Sequence, residues 1–278
     1  MSRPLEFVRI DQDGRALSIE YQWVGGDDVS LPLIVFLHEG LGSLSMWKDF
    51  PDRLCRAAGC RGLVYSRPGY GQSTPRAADE DWDVDFMHRQ ADGVLPAFLK
   101  ALQIDADDPP WLFGHSDGGS IALLYAAANP RRVAGLIVLS PHIMVEDLSI
   151  ESIEKARQAY LQTELKQRLG RYHADPDSAF WGWNDIWLKP AFRDWSIENE
   201  IEDIRCPLLA IQGLDDEYGT LRQVHGITRR AAHARVVELA DCGHTPHRDQ
   251  PRRLIEISVR FISDAMPETE AEQAGFCA

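Results

Sequence analysis

WLFGHSDGGSIALLYAAANP, residues 111–130, decides how the rest of the chain is read. Its first five residues form an apolar run of strand length, and from Asp117 onward the stretch is rich in Ala and Leu and reads as a helix. Between the two, Gly114-His115-Ser116-Asp117-Gly118 is a G-x-S-x-G pentapeptide placed at a strand-to-helix turn. Such a turn forces its central residue into a strained, exposed position, and the flanking glycines are needed because a side chain there would clash across it. The Ser116 hydroxyl is thereby offered at the carboxyl end of a strand. The Asp117 backbone N–H, at the start of the helix, points to where negative charge would develop on a carbonyl oxygen. The pentapeptide alone occurs by chance in many sequences, and its position between a buried strand and an Ala-rich helix is what gives it weight.

Outward from this stretch, further short apolar runs alternate with amphipathic segments. Strands are expected at LPLIVFL (31–37), GLVYS (62–66), VAGLIVLS (133–140), PLLAIQG (207–213) and ARVVELA (234–240), and helices at about 46–58, 84–102, 117–128, 219–232 and 250–264. This alternation calls for an α/β fold with a mostly parallel central sheet covered by helices on both faces. FVRI and ALSIEYQWV, before and after a D-Q-D-G turn ending at Gly14, alternate only partly and suit a half-exposed sheet edge. Residues 142–200 break the alternation, with a helical pattern over ESIEKARQAYLQTELKQRLGRYH and then the aromatic run AFWGWNDIWLKPAFRDW. The expected organisation is a core of 1–141 and 201–264, a helical cap insertion at 142–200, and a flexible tail at 265–278. Trp181, Trp183 and Trp187 either pack the insertion or line an apolar pocket beneath it, since aromatic-lined concavities are where small ligands lodge.

The chain has 278 residues, 44% hydrophobic and 26% charged, with a net charge of −14. That is an ordinary globular composition, and its negative charge argues against nucleic acid and anionic membrane surfaces as partners. The five cysteines, Cys55, Cys60, Cys206, Cys242 and Cys277, show no metal or disulfide spacing and read as reduced thiols. No metal and no cofactor is implied. The N-terminal residues lack a signal-peptide pattern and no run reaches membrane-spanning length, so a cytoplasmic location is expected; nothing marks an oligomeric interface.

Serine at neutral pH needs a base, and the base an orienting acid, in the chain order Ser, then Asp or Glu, then His. Cys242-Gly243-His244 follows the strand ARVVELA, which places His244 at the same sheet edge as Ser116; His247 is the second choice. Gly213-Leu214-Asp215-Asp216-Glu217 follows PLLAIQG and offers three carboxylates, of which Asp216 is preferred and Asp215 comes second. His38-Glu39-Gly40-Leu41-Gly42-Ser43 follows LPLIVFL, and its glycine-rich turn can bring a backbone N–H, from Gly40 first and Leu41 second, to form an oxyanion hole with the Asp117 amide. It lacks the Lys-Ser/Thr of a phosphate-binding P-loop and the G-x-G-x-x-G of a dinucleotide fold.

In order, LHEGLGS, YSRPGYGQS, GHSDGG, IQGLDD and DCGHTPH resemble the α/β-hydrolase superfamily over roughly residues 5–264. The resemblance implies a serine hydrolase acting on a small-molecule, ester-like carbonyl through Ser116, His244 and Asp216. The acid fits a G-x-x-D pattern at Gly213 to Asp216, and the oxyanion residue, second after the histidine, is Gly40. Arg67 and His38 are implied to be structural. A serine at the elbow argues against the dehalogenases and epoxide hydrolases of this fold, which use a carboxylate nucleophile. Carboxylesterase, C–C bond hydrolase, lactonase, thioesterase and perhydrolase remain open, as does a non-catalytic small-molecule receptor. An acidic chain with an aromatic insertion leans toward small, uncharged, apolar esters, with Glu39, Leu41 and the three tryptophans as pocket residues. Two positions depart from the family: Glu39 stands where glycine is usual, and Asp117 where an apolar residue is more frequent.

Overall fold

The structure is a computed structural model that describes residues 4–77, 80–104 and 107–266. The greater part of the expected tail, from 267 on, and Cys277 lie outside the described residues. The elements in chain order are β1 (Glu6–Gln12), β2 (Arg15–Gly25), β3 (Leu33–Leu37), α1 (Phe50–Ala58), β4 (Arg61–Tyr65), α2 (Phe86–Arg89), α3 (Leu95–Ala101), β5 (Trp111–His115) and α4 (Asp117–Ala128). There follow β6 (Gly135–Leu139), α5 (Asp147–Gln162), α6 (Leu165–Leu169), α7 (Pro176–Leu188), β7 (Leu208–Gly213), α8 (Arg222–Arg230), β8 (Arg235–Leu239), α9 (Pro246–Asp249) and α10 (Pro251–Ala265).

The strands form one eight-stranded sheet in the order β1-β2-β4-β3-β5-β6-β7-β8. β1 and β2 pair antiparallel with each other and β2 with β4, and all other neighbours are parallel. β3, β5, β6 and β7 are buried along their whole length, as their unbroken apolar runs require. Successive side chains divide between two cores, because a strand's side chains alternate in direction. Val35, Leu37, Leu112, Leu136 and Val138 meet the inner side chains of α3, α4 and α8 on one face. Ile34, Phe36, Trp111, Phe113, Ile137 and Leu139 meet α1 and α10 on the other. β1 is the exposed edge, with Phe7 at 52% exposure.

Three helix boundaries differ from the sequence reading, each for a local reason. Residues 44–47 form a separate 3₁₀ turn, because Lys48 at φ 56 ends it before α1 begins. The stretch expected as one helix over 84–102 is α2 and α3 joined by a wide turn at Gln90–Val94. Pro96 has no N–H to return to the Asp92 carbonyl four residues back, so the ladder widens there. α8 starts at Arg222 because Tyr218 and Gly219 give their amides to the Asp216 side chain instead of a helix. Between β6 and β7, among the described residues, there are helices and a single isolated bridge, Met144 to Ser196.

Parallel strands all end on one side, and the sheet's order reverses beside β3, whose two neighbours are β4 and β5. Clefts form at the carboxyl ends beside such a reversal. The loops after β3, β5, β6, β7 and β8 meet there.

Candidate active site

Ser116 sits between β5 and α4 at φ 52, ψ −121, a backbone conformation unfavourable to any residue but glycine. What holds it there is the closeness of the flanking backbone. A Cβ on Gly114 would lie 2.4 Å from the Gly118 carbonyl oxygen, and one on Gly118 would lie 2.2 Å from that of Leu37. The Ser116 amide donates to the Leu139 carbonyl (2.9 Å), tying the turn to β6. As the first residue of α4, Asp117 has an amide with no intrahelical acceptor.

His244, on the loop after β8, places Nε2 3.0 Å from Ser116 Oγ and Nδ1 2.8 Å from Asp216 Oδ1. Asp216 is the carboxylate that reaches it; Asp215 is exposed and uses its amide to hold the Cys242 carbonyl (2.9 Å). Every oxygen of Asp216 is engaged. Oδ1 also accepts from the amides of Tyr218 (2.9 Å) and Gly219 (3.2 Å), and Oδ2 from Gln212 Nε2 (3.1 Å). Burial opposes the charge of Asp216, but the hydrogen bond and charge of His244 and the Tyr218 amide outweigh it and lower the carboxyl to about 2. Burial likewise opposes the charge of His244, and here Asp216, with Glu217 and Glu39, prevails and raises its pKa above the ordinary value. His247, the second choice for the base, is elsewhere. Its ring packs against Trp47 at 4.6 Å and Phe50 at 5.8 Å.

The loop after β3 is braced from within. His38 Nδ1 donates to the Glu39 carbonyl (2.7 Å), which Arg67 Nη2 also reaches (3.0 Å), while His38 Nε2 accepts from the Arg67 amide (3.0 Å). Burial and the Arg67 charge hold the His38 pKa well below the usual range, so it stays neutral. Gly40 lies directly under Trp183, whose Nε1 would be 2.2 Å from any Cβ added there. Glu39 turns inward. Its Oε2 lies 3.4 Å from His115 Nδ1, and His115 Nε2 donates to the His244 carbonyl (2.7 Å). One buried imidazole thus links the loops that carry Glu39, Ser116 and His244. Burial works against the Glu39 charge, but the side chain of His115, first among the opposing influences, holds the carboxyl well below the ordinary range.

Ser116, His244, Asp117, Glu39, Gly40 and His115 line a cavity of ≈ 240 Å³ with Leu41, His142, Ile153, Trp183, Trp187, Glu217, Tyr218 and Thr245. Trp181 is not among the lining residues: it packs edge-on to Tyr160 at 5.5 Å and Phe180 at 5.1 Å, with Arg157 over its ring. Four lining residues went unnoticed in the sequence, Thr245 beside His244 among them. His142 follows β6 as His244 follows β8, a strand-end position that could have marked it; burial, reinforced by the neighbouring His244, lowers its pKa to about 3. Tyr218, whose ring is 4.7 Å from that of His244, and Ile153 of α5 carry no local signal. α5 also grips the acid loop, with Ser149 Oγ donating to the Tyr218 carbonyl (2.6 Å) and Ser152 Oγ to that of Glu217 (2.5 Å). Larger clefts elsewhere on the surface, one of ≈ 440 Å³ beside Arg15 and Arg76, hold none of these groups.

Trp187 is 1% exposed and lies against Phe192 at 5.1 Å and His142 at 4.9 Å, so it is core as well as wall. Trp187→Ala is expected to cost about 3–5 kcal/mol of stability. Urea denaturation checks this, and a loss below about 1 kcal/mol would remove Trp187 from the core.

A family model described as "Alpha/beta hydrolase family" matches residues 34–257. The chain belongs to the alpha/beta hydrolase family. This hydrolase is similar to the sn-1-specific diacylglycerol lipase ABHD11 of Mus musculus, 23% identical over 90% of the chain and 87% of that protein. It is also similar to Esterase Rv0045c of Mycobacterium tuberculosis, 24% identical over 94% and 90%. Among solved structures it shares its fold with a carboxylesterase structure from Nitrososphaera gargenis (TM-score 0.75, 18% identity, covering 92% and 98%). Among the described residues of the hydrolase, no helix is long and apolar enough to cross a membrane.

Proposed function

We propose that the protein is a carboxylic ester hydrolase in which Ser116 is the nucleophile, His244 the general base and acid, and Asp216 the residue that orients His244. The observation that carries this reading is the unbroken chain of hydrogen bonds from Ser116 Oγ through both nitrogens of His244 (3.0 and 2.8 Å) to a fully satisfied carboxylate. The names of the two relatives, a lipase and an esterase, support it.

With Nδ1–H donated to Asp216, neutral His244 offers Nε2 as acceptor to the Ser116 hydroxyl. As Oγ attacks the carbonyl carbon, its proton passes to Nε2, and the negative charge on the former carbonyl oxygen meets the amides of Asp117 and Gly40. One such donor is worth about 2.7–4 kcal/mol. Collapse breaks the ester C–O bond, and the departing alkoxide takes the proton from His244. Water then attacks the acyl-enzyme, His244 removes its proton, and Ser116 leaves with that proton restored. In this reading α5 and α7 form a cap, supported by Ile153, Trp183 and Trp187 on the cavity wall, and the volume of ≈ 240 Å³ suits a small substrate.

Incubation with a fluorophosphonate probe is expected to label the folded protein at Ser116, with the adduct located by peptide mass spectrometry. A folded protein left unlabelled, or labelled at another residue, would overturn the assignment.

A further inference from the structure

Trp183 stands apart from the other tryptophans of the core by the freedom of its indole N–H. The Nε1 atoms of Trp47, Trp187 and Trp195 are shut away from solvent without a partner. That of Trp183 is not shut away: it has no acceptor among the described residues, and Trp183, 6% exposed, borders the catalytic cavity. This open donor sits over the loop after β3. A Cβ on Gly40 would lie 2.2 Å from Trp183 Nε1 and about 2.5 Å from its own amide nitrogen, so the two nitrogens are within about 5 Å of each other. Two donors that each meet an oxygen at about 3 Å can stand up to about 6 Å apart, so one oxyanion is within reach of both. The relation between α7 and the loop is held by named bonds. His173, between α6 and α7, accepts from the Gly71 amide at Nδ1 (3.0 Å) and donates from Nε2 to the Leu41 carbonyl (3.1 Å). Asp175 caps α7 by accepting from the Ser178 amide (2.9 Å), and Asn184 Nδ2, next to Trp183, donates to the Ile153 carbonyl of α5 (3.1 Å). A cavity wall without Lys or Arg leaves charge that develops inside it to N–H and O–H dipoles.

We propose that the Trp183 Nε1–H is a third donor of the oxyanion hole, reaching from α7 to the same carbonyl oxygen as the amides of Gly40 and Asp117. The proposal rests on the ester-hydrolase reading for the oxyanion itself, and on the position of Trp183 over Gly40 for the donor. As Ser116 Oγ bonds to the carbonyl carbon and its proton passes to His244 Nε2, the π pair of the carbonyl moves onto the oxygen, and the indole hydrogen bond strengthens with that charge. When the carbonyl re-forms and the alkoxide leaves with the proton from His244, the bond weakens again. The donor therefore acts on kcat rather than on substrate affinity. It also gives Gly40 a second reason to lack a side chain, since a Cβ there would drive the indole away.

Trp183→Phe keeps an aromatic ring in the wall and removes the N–H. On a short-chain p-nitrophenyl ester its kcat is expected to fall at least about 10²-fold, with KM within about threefold of the wild type. Trp181→Phe, on the same helix but away from the cavity, should stay within about threefold in kcat/KM. An alkyl trifluoromethyl ketone, whose adduct with Ser116 carries the oxyanion, should lose affinity for Trp183→Phe by the same factor as kcat/KM. A folded Phe variant that raises KM, keeps kcat and binds the ketone as the wild type does overturns the donor and leaves Trp183 as wall alone. If the Phe variant fails to fold, wild-type protein isotopically labelled at its indole nitrogens decides the matter: one indole N–H resonance moves downfield when the ketone adduct forms, and a spectrum in which none moves overturns the proposal. Failure of the hydrolase reading looks different. A folded wild type that forms no adduct and turns over no ester sinks that reading and the donor with it, whereas turnover and adduct formation beside an unaffected Phe variant sink the donor alone.

Discussion

Replacing Ser116 by alanine is expected to lower kcat on a short-chain p-nitrophenyl ester by about 10⁴- to 10⁶-fold. The loss is that large because, in the proposed mechanism, Oγ is the atom that His244 Nε2, 3.0 Å away, prepares for attack. In the proposed mechanism some rate enhancement over water survives, through His244, Asp216 and the amides of Asp117 and Gly40 acting on a bound ester and a water molecule. That residue should be about 10³–10⁴ over the uncatalysed reaction. The fold should be indifferent to the change. Alanine keeps the same Cβ, so the backbone strain at φ 52 is no greater than in the wild type. Steady-state kinetics with a thermal melt beside them make the comparison. A variant with an unchanged melt and more than a tenth of the wild-type rate would show that another residue is the nucleophile.

What could be read in the sequence follows from which interactions are local. The elbow was legible because its chemistry is written in consecutive residues: a strand, two glycines around a serine, a helix. β5 and α4 coincide with the expected segments 111–115 and 117–128 for the same reason. The positions of His244 and Asp216 were legible because parallel strands put every strand end on one side of the sheet, so order along the chain becomes adjacency in space. Side-chain orientation was not. Trp181, Trp183 and Trp187 look equivalent in one aromatic run, yet α7 turns by about 100° per residue, and Trp183 and Trp187, four apart, share the face that Trp181 does not. The inward turn of Glu39 depends on His115, 76 positions away, and could not be read from either neighbourhood. The departures from family pattern at Glu39 and Asp117 were visible as oddities. Only the packing around them shows that Glu39 turns toward His115 and that Asp117 is wholly buried, within the field of Arg67.

The carboxylate choice yields the second large effect. Asp216→Asn is expected to lower kcat by about 10³- to 10⁴-fold, while Asp215→Asn, altering an exposed side chain one residue away, stays within about threefold. The asparagine is close to isosteric and cannot be accommodated. To keep accepting from the amides of Tyr218 and Gly219, its oxygen must occupy the Oδ1 position, which turns its NH₂ toward Gln212 Nε2. Gln212 cannot flip to accept, because the same nitrogen donates to the Gly219 carbonyl (2.7 Å). Either the donors clash or the Asn turns over and faces His244 Nδ1 with a donor, leaving Nε2 protonated and unable to take the serine proton. The pH profile separates this electrostatic role from a structural one. His244 acts as a base only when neutral, so kcat/KM rises with pH through its pKa, and Asp216, chief among the raising influences, places that limb above 6.5 in the wild type. With the anion gone, burial is left to dominate and the limb moves to lower pH, so the fractional loss is smallest under acid conditions. A merely loosened loop would lower the rate at every pH and leave the limb in place. A limb that does not move, or an Asp215→Asn variant as damaged as Asp216→Asn, would return the choice of acid to the neighbouring carboxylates.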